Sequence, residues 1–202
     1  MGTQALTNSV ETHALSVARR ELILGGQKSG KSRRAEQLAA AWLAQDVRHG
    51  ALLLATAQAH DAEMRARIER HRADRAARIP ALGCVEEPLA LAQAVARHSA
   101  PHTLLVVDCL TLWLTNRMMP LGPPATSAEI GAAQDELLAG LEAPAGAGAL
   151  VRDENARGVI PLGPEVRGFV DAMGSHIQGV AAVCERVCFM AAGLPMLLKG
   201  AA

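Results

Sequence analysis

The stretch Glu21-Leu-Ile-Leu-Gly-Gly-Gln-Lys-Ser-Gly-Lys-Ser32 decides the fold. Its apolar start, Glu21 to Leu24, reads as a short buried strand. The eight residues that follow, Gly25, Gly26, Gln27, Lys28, Ser29, Gly30, Lys31 and Ser32, form a glycine-rich P-loop. Glycines at 25, 26 and 30 let consecutive backbone N–H groups converge with no Cβ between them, which is what an anion nest requires. Lys31 is placed to reach the β and γ phosphates of a nucleotide, and the Ser32 hydroxyl to ligate Mg²⁺ at the start of a helix whose dipole favours negative charge. Such an eight-residue pattern arises by chance in on the order of one chain in a hundred of this length. The strand before it and the helix after it reduce that further, so a mere Gly-rich turn before a solvated lysine carries little weight.

Working outward, Ser32 to Ala44 has helical composition with Ala35, Leu38, Ala39 and Trp42 on one face, and Ala51 to Ala57 is an apolar run of strand length. Asp61 to about Arg75 reads as a charged helix, with Met64 and Ile68 spaced for one face. Leu89 to His98 and Leu110 to Met119 are further helices, separated by the apolar run Thr103 to Asp108. Thr126 and Glu129 have capping-box spacing for a helix running to about Leu141, after the Gly122-Pro-Pro124 loop. Ala143 to Gly148 reads as a turn. A weak strand at Ala149 to Val151, a helix from Pro164 to about Val183, a strand at Val187 to Ala192 and a terminal piece at Met196 to Leu198 complete the chain. Alternating strands and helices predict an α/β, P-loop NTPase-like fold: a mainly parallel sheet with helices on both faces. Residues 1–20 read as an N-terminal extension, and 21–202 as a single catalytic domain.

Half of the 202 residues are hydrophobic, enough for a sizeable core. Lys plus Arg and Asp plus Glu are 20 each, and there are two Phe, two Trp and no Tyr. A chain with neither a basic field nor stacking platforms argues against nucleic acid as a partner. No apolar run approaches a bilayer span and the start lacks a signal-peptide h-region, so the expectation is a cytoplasmic protein with reduced thiols. Cys184 and Cys188 have helical i, i+4 spacing, but buried thiols explain them better than a metal.

Two candidates for chemistry lie outside the loop. Asp108 ends the run Leu104-Leu-Val-Val107, which sets a carboxylate at the C-terminal edge of the sheet, where a Walker B acid supports Mg²⁺. Alone it equally suits a helix cap. His71 sits among Arg67, Arg70, Arg72 and Arg75, which can gather a triphosphate around a nucleophilic ring. Spacing alone favours an ordinary solvated face.

Six segments in order then carry a resemblance: the P-loop, Ala55-Thr-Ala-Gln58, Asp61-Ala-Glu-Met-Arg-Ala-Arg-Ile68 with His71, Val85-Glu-Glu-Pro-Leu89, Asp108-Cys-Leu-Thr-Leu-Trp-Leu-Thr-Asn116 and Ala192-Gly-Leu-Pro-Met-Leu-Leu-Lys199. Together they resemble the bifunctional adenosylcobinamide kinase and adenosylcobinamide-phosphate guanylyltransferase family of cobalamin biosynthesis, over nearly everything after about residue 20. The resemblance implies a two-step enzyme. It phosphorylates adenosylcobinamide with ATP or GTP, then moves GMP from GTP through a guanylyl-histidine to adenosylcobinamide phosphate, giving adenosylcobinamide-GDP. His71 matches the family's histidine. The implied GTP contacts are Gly25 to Ser32, then Ala55, Thr56 and Ala57, then Arg72, Ala73, Asp74 and Arg75, and finally Glu86 and Asp108. Mg²⁺ falls to Ser32 and Asp108. The family pattern also implies a homo-oligomer, a trimer among its forms.

The chain departs from that pattern in places. The family's Asn-Glu-Val-Gly-x-Gly-Ile-Val-Pro segment corresponds to Asp153 to Pro161, which keeps Glu154, Gly158 and Pro161 but has Ala156 in place of a glycine. Ile177 stands where the family has asparagine. One reading is drift in a lid and a helix; the other is an altered corrinoid-side surface with one activity weakened. Two rivals accompany the main reading: another P-loop small-molecule kinase with no covalent histidine step, and a non-catalytic nucleotide-binding regulatory protein.

Overall fold

The computed structural model describes residues 15–59, 61–120, 125–142, 146–153 and 164–201. Its elements in chain order are β1 (Arg20–Gly25), α1 (Lys31–Gln45), β2 (Gly50–Ala55), α2 (Ala62–Arg78), β3 (Leu82–Glu86), α3 (Leu91–His98), β4 (Thr103–Asp108), α4 (Leu110–Met118), α5 (Ser127–Glu142), β5 (Ala147–Asp153), α6 (Pro164–Val183), β6 (Arg186–Ala191) and β7 (Leu194–Lys199). The strands form a seven-stranded sheet in the order β3-β2-β4-β5-β1-β6-β7. Every neighbouring pair is parallel except β6 and β7, which form an antiparallel hairpin at one edge.

The central strands are continuous apolar runs because both of their faces are covered. Leu22, Leu24, Leu54, Leu105, Val107 and Leu150 join a core with α3, α4, α5 and α6. The alternate residues Ile23, Leu53, Leu104, Val106, Ala149 and Val151 join a second core with Ala35, Leu38 and Ala39 of α1. Trp113 of α4 is the largest fully buried side chain. The capping box forms as predicted: Thr126 Oγ1 accepts from the Glu129 N–H at 3.2 Å while Glu129 Oε2 accepts from the Thr126 N–H at 2.7 Å.

Three expectations change. β3 was not foreseen as a strand. It is the opposite edge of the sheet, with only Leu82 and Val85 half-buried on an otherwise exposed strand, so it presents no apolar run. β5 begins at Ala147, inside the segment read as a turn, while residues 143–145 lie outside the described residues. Cys184 and Cys188 are both buried thiols, as expected: Cys184 follows α6, Cys188 lies within β6, and they belong to the two different cores. Burial pushes the Cys184 thiol up to about 12, as suits an inert packing residue. Finally, residues 15–19 lie against the fold: Leu15 and Val17 pack on the second core, and Ser16 accepts hydrogen bonds from Arg186.

That last contact belongs to a buried ion cluster. Glu21 and Arg186 are direct cross-strand partners in β1 and β6. Glu21 Oε2 accepts from Arg186 at 3.0 Å and Glu21 Oε1 from Arg34 of α1 at 2.9 Å, with Glu21 only 1% exposed. Arg186 also donates to Ser16 and to the Ala201 carbonyl, so the cluster around the Glu21 carboxylate ties these two residues and α1 to β1. Removing one member of such a cluster strands buried charge, a loss of about 3–5 kcal/mol. Glu21→Ala is therefore expected to lose stability on that scale in urea denaturation; a change below about 1 kcal/mol would show the cluster to be dispensable.

Candidate nucleotide site

β1 runs buried between β5 and β6 and ends at Gly25, whose φ is +153°. A Cβ there would lie 2.5 Å from Ser29 Oγ and 2.6 Å from the Met190 carbonyl, so only glycine lets the loop turn this close to β6. Gly30 closes the loop at φ +103°, and a Cβ on it would press on Gly193 in the β6–β7 turn. The Gly193 N–H donates to the Ser29 carbonyl at 2.9 Å, which fixes the loop against the hairpin. Lys31 opens α1, is almost fully buried, and its Nζ donates to the Gly26 carbonyl at 2.6 Å, so its ammonium folds over the loop. Ser29 Oγ is buried without a hydrogen-bond partner. An unmet buried hydroxyl costs about 1–3 kcal/mol, and a phosphate oxygen seated in the loop is an acceptor of the right kind.

At the end of β4, across β5 from β1, Ser32 Oγ donates to Asp108 Oδ2 at 3.0 Å. A hydroxyl and a carboxylate oxygen side by side, next to phosphate, are the hard donors Mg²⁺ takes while keeping several waters. The parallel register sets Glu86, Ala55 and Asp108 in one row across β3, β2 and β4. With strands about 4.8 Å apart, the Glu86 and Asp108 backbones are separated by about 10 Å. Three of the sequence-predicted groups, the P-loop with its Ser32, Ala55 and Asp108, thus lie at the C-terminal ends of the parallel strands.

Thr56, next along, is fully buried. Its hydroxyl donates to the Cys109 carbonyl at 2.7 Å and accepts from the Cys109 N–H at 2.8 Å, while its own N–H donates to the Asp108 carbonyl at 3.1 Å. It acts as a brace between the ends of β2 and β4 rather than as a side chain offered to a ligand.

His71 lies in the middle of α2. Asp61 caps that helix by accepting from the Met64 N–H at 2.7 Å, and Glu63, Arg75 and Arg78 complement its dipole. Met64, Ile68, Arg75 and Ile79 form a half-buried stripe, yet no residue of α2 is buried. Polar contacts hold it: Arg78 makes a two-pronged ion pair with Glu36 of α1 at 2.8 and 2.9 Å, and Arg72 pairs with Glu86. Beside that second pair, Ala57, Ala59, Arg65, Ile68, Glu69, Arg72 and Glu86 line a cleft of about 230 Å³. His71, Ala73 and Asp74 are exposed on the helix.

The sequence profile described as cobinamide kinase / cobinamide phosphate guanyltransferase matches residues 21–198. The chain belongs to this family. It is 46% identical over 181 residues to the bifunctional adenosylcobalamin biosynthesis protein CobP of Pseudomonas aeruginosa, a match covering 90% of this chain and 98% of that protein. It is 30% identical over 187 residues to the bifunctional adenosylcobalamin biosynthesis protein CobU of Salmonella typhimurium, covering 88% of this chain and 98% of that one. Among solved structures, the flagellar accessory protein FlaH of Methanocaldococcus jannaschii superposes with a TM-score of 0.51 over 91% of this chain and 80% of its own, at 11% identity. That likeness concerns the fold alone.

Of the two departures from the family pattern, Ala156 lies outside the described residues. Ile177 is partly buried against the larger core, where an aliphatic side chain is at home. The residue that the sequence reading passed over is Asn116: it was quoted within a motif and given no task, yet it is 3% exposed and bonded to two loops of the site. Its signal is a side-chain amide at helical spacing with the apolar Leu110, Trp113 and Leu114, the buried face of α4.

A helix fastened by ion pairs and burying no residue should open more readily than its neighbours. Amide hydrogen exchange is expected to be faster across α2 than across α1 or α4, and Glu36→Gln should quicken α2 further. Equal protection of α1 and α2 would show that the helix is held by more than these contacts.

Proposed function

We propose that the protein phosphorylates adenosylcobinamide with ATP or GTP and then transfers GMP from GTP, through a covalent adduct on His71, to adenosylcobinamide phosphate, giving adenosylcobinamide-GDP. The observation that carries the first half is the clustering of Lys31, Ser32 and Asp108 at the glycine-rich loop. The second half rests on family membership together with His71 standing one residue from the Arg72–Glu86 pair.

In the kinase step the P-loop N–H groups and Lys31 bind the phosphates while the substrate hydroxyl attacks the γ phosphorus, expelling the nucleoside diphosphate and giving up its proton. Mg²⁺, held by Ser32 and Asp108, would offset the charge of the phosphate oxygens. In the guanylyl step an imidazole nitrogen of His71 attacks the α phosphorus of GTP, the bond to the β-phosphate oxygen breaks, and pyrophosphate leaves. A phosphate oxygen of adenosylcobinamide phosphate then attacks the same phosphorus and frees the ring. Arg72, Arg75 and Glu86 are the groups assigned to seating this second nucleotide, with Ala73 and Asp74 beside them, and with Ala55 and Ala57 offering backbone at the sheet edge.

Two further statements belong to this reading. The protein works in the cytoplasm, in keeping with the finding that no described helix is long and apolar enough to cross a membrane. It also assembles as a homo-oligomer: β7 is exposed along its whole length, with Leu194, Met196, Leu197 and Leu198 outermost, and an apolar edge of that kind is what an assembly covers. The exposure of His71 favours one rival, a simple P-loop kinase with no covalent step.

Two measurements decide between them. Asp108→Asn is expected to lower Mg²⁺-dependent turnover far more than metal-free nucleotide binding, and equal losses would reduce Asp108 to a structural cap. His71→Ala is expected to abolish acid-labile, base-stable labelling by α-labelled GTP, as a phosphoramidate requires, while a measurable kinase rate remains. A mutant that still takes up GMP at the parent rate would remove His71 as nucleophile, and a parent that never takes label would leave the simple kinase.

A further inference from the structure

The buried face of α4 sends three side-chain donors to the two loops that follow β2 and β3. The Asn116 amide donates to the Thr56 carbonyl at 2.7 Å and to the Pro88 carbonyl at 3.2 Å. Trp113 Nε1 donates to the Leu89 carbonyl at 3.0 Å, and Arg117 donates to the same oxygen at 3.1 Å. A single residue, Asn116, bridges both loops, and at 3% exposure it is cut off from water.

These loops differ in how else they are held. The Thr56 loop follows an inner strand and is braced by Cys109 and Asp108. The Pro88 loop follows β3, the edge strand, which has a partner on one side only and buries no residue. Glu86, at the end of β3, is the ion-pair partner of Arg72, an exposed residue of α2 that follows His71 in the chain. The path from α4 through Pro88 to Glu86 and Arg72 thus adds to the β2 ladder and the Glu87 N–H bond to the Ala55 carbonyl at the β3 end, and with the Arg78–Glu36 pair it helps set where His71 stands. Of the kinase groups, Lys31 is held by the loop itself and the Asp108 carboxylate by Ser32; the Thr56 N–H meets the backbone carbonyl of Asp108, which the ladder between β2 and β5 also fixes.

We infer that Asn116 is a positioning residue for guanylyl transfer and not for phosphorylation, acting by pinning the β3 end, and with it Glu86, Arg72 and His71, to the inner strands. This inference rests on the reading in which His71 carries GMP. It assigns the two half-reactions to separately supported parts of one site.

The test uses Asn116→Asp, which keeps the shape of the side chain but replaces the donor with an oxygen that repels both carbonyls, and Arg117→Met, which removes one donor at a half-exposed position. Single-turnover labelling from α-labelled GTP and steady-state phosphorylation with γ-labelled ATP are measured on each, together with thermal melting. Asn116→Asp is expected to slow labelling on the order of 10²-fold, the scale of a small misplacement of reacting groups. The loss should fall on the maximal rate rather than on the GTP concentration needed, while kinase kcat and KM stay close to those of the parent. Arg117→Met should shift the same ratio in the same direction by less. Equal loss of both activities in a folded variant, or unchanged labelling, overturns the inference. If Asn116→Asp does not fold, an unaltered labelling-to-kinase ratio in Arg117→Met overturns it instead. A parent protein that phosphorylates but takes no GMP label sinks the guanylyl reading and this inference with it, an outcome separate from the others.

Discussion

Everything at the site depends on the close approach permitted by the missing side chain at Gly25. The chain leaves the middle of the sheet with Ser29 Oγ and the Met190 carbonyl both within 2.6 Å of where a Cβ would stand. Because the loop can fold back so tightly, Ser29 meets Gly193 of the β6–β7 turn, α1 starts at Lys31, and Ser32 faces Asp108 at the end of β4, two strands away. A β-carbon at position 25 would push the loop off β6 and separate all three contacts at once. The buried Glu21–Arg186–Arg34 cluster acts at the other end of the same strand, so β1 is located by charge at its start and by packing at its finish.

Around that strand the molecule has two kinds of construction. The inner strands with α1, α4 and Trp113 are buried and closely packed, which leaves the groups at the P-loop little freedom. The edge strand β3 and the helix α2 are attached through Glu86–Arg72 and Glu36–Arg78, contacts made mostly at the surface. A phosphate chain needs a fixed cradle, whereas a histidine that first accepts and then gives up a nucleotidyl group must meet two different substrates. The division between a packed cradle and a lightly fastened helix suits that sequence of events.

Much of this was legible from residue order, and the reasons differ element by element. The inner strands announce themselves because burial on both faces demands unbroken runs such as Leu104 to Val107. The capping box at Thr126 is a local hydrogen-bond pattern and needs no tertiary knowledge. β3 was missed because an edge strand has no such demand and its Leu-Gly-Cys-Val-Glu sequence lacks a period. The strand at Ala149 to Val151 is expected, but its first residues, Ala147 and Gly148, read as a turn because small residues fit both a loop and a strand closely flanked by β1 and β4. Within the site, the glycine loop and Asp108 carry their chemistry in their residue types. Asn116 and Thr56 do not, since their importance lies in which carbonyls they meet, and those partners are 28 to 60 residues away from Asn116 in the chain.

The surface character of α2 has a bearing on how such a protein can change over generations. Most positions on a helix are restrained by the neighbours that would be crowded or left hollow, but a helix whose residues all reach water imposes few such demands. Apart from the cap at Asp61, the two arginines in ion pairs and the half-buried stripe, substitutions along it leave the interior untouched. The element proposed to carry the nucleotide can thus vary in charge and shape, and so in the second substrate it accepts, while the sheet that binds the first nucleotide is inherited unaltered.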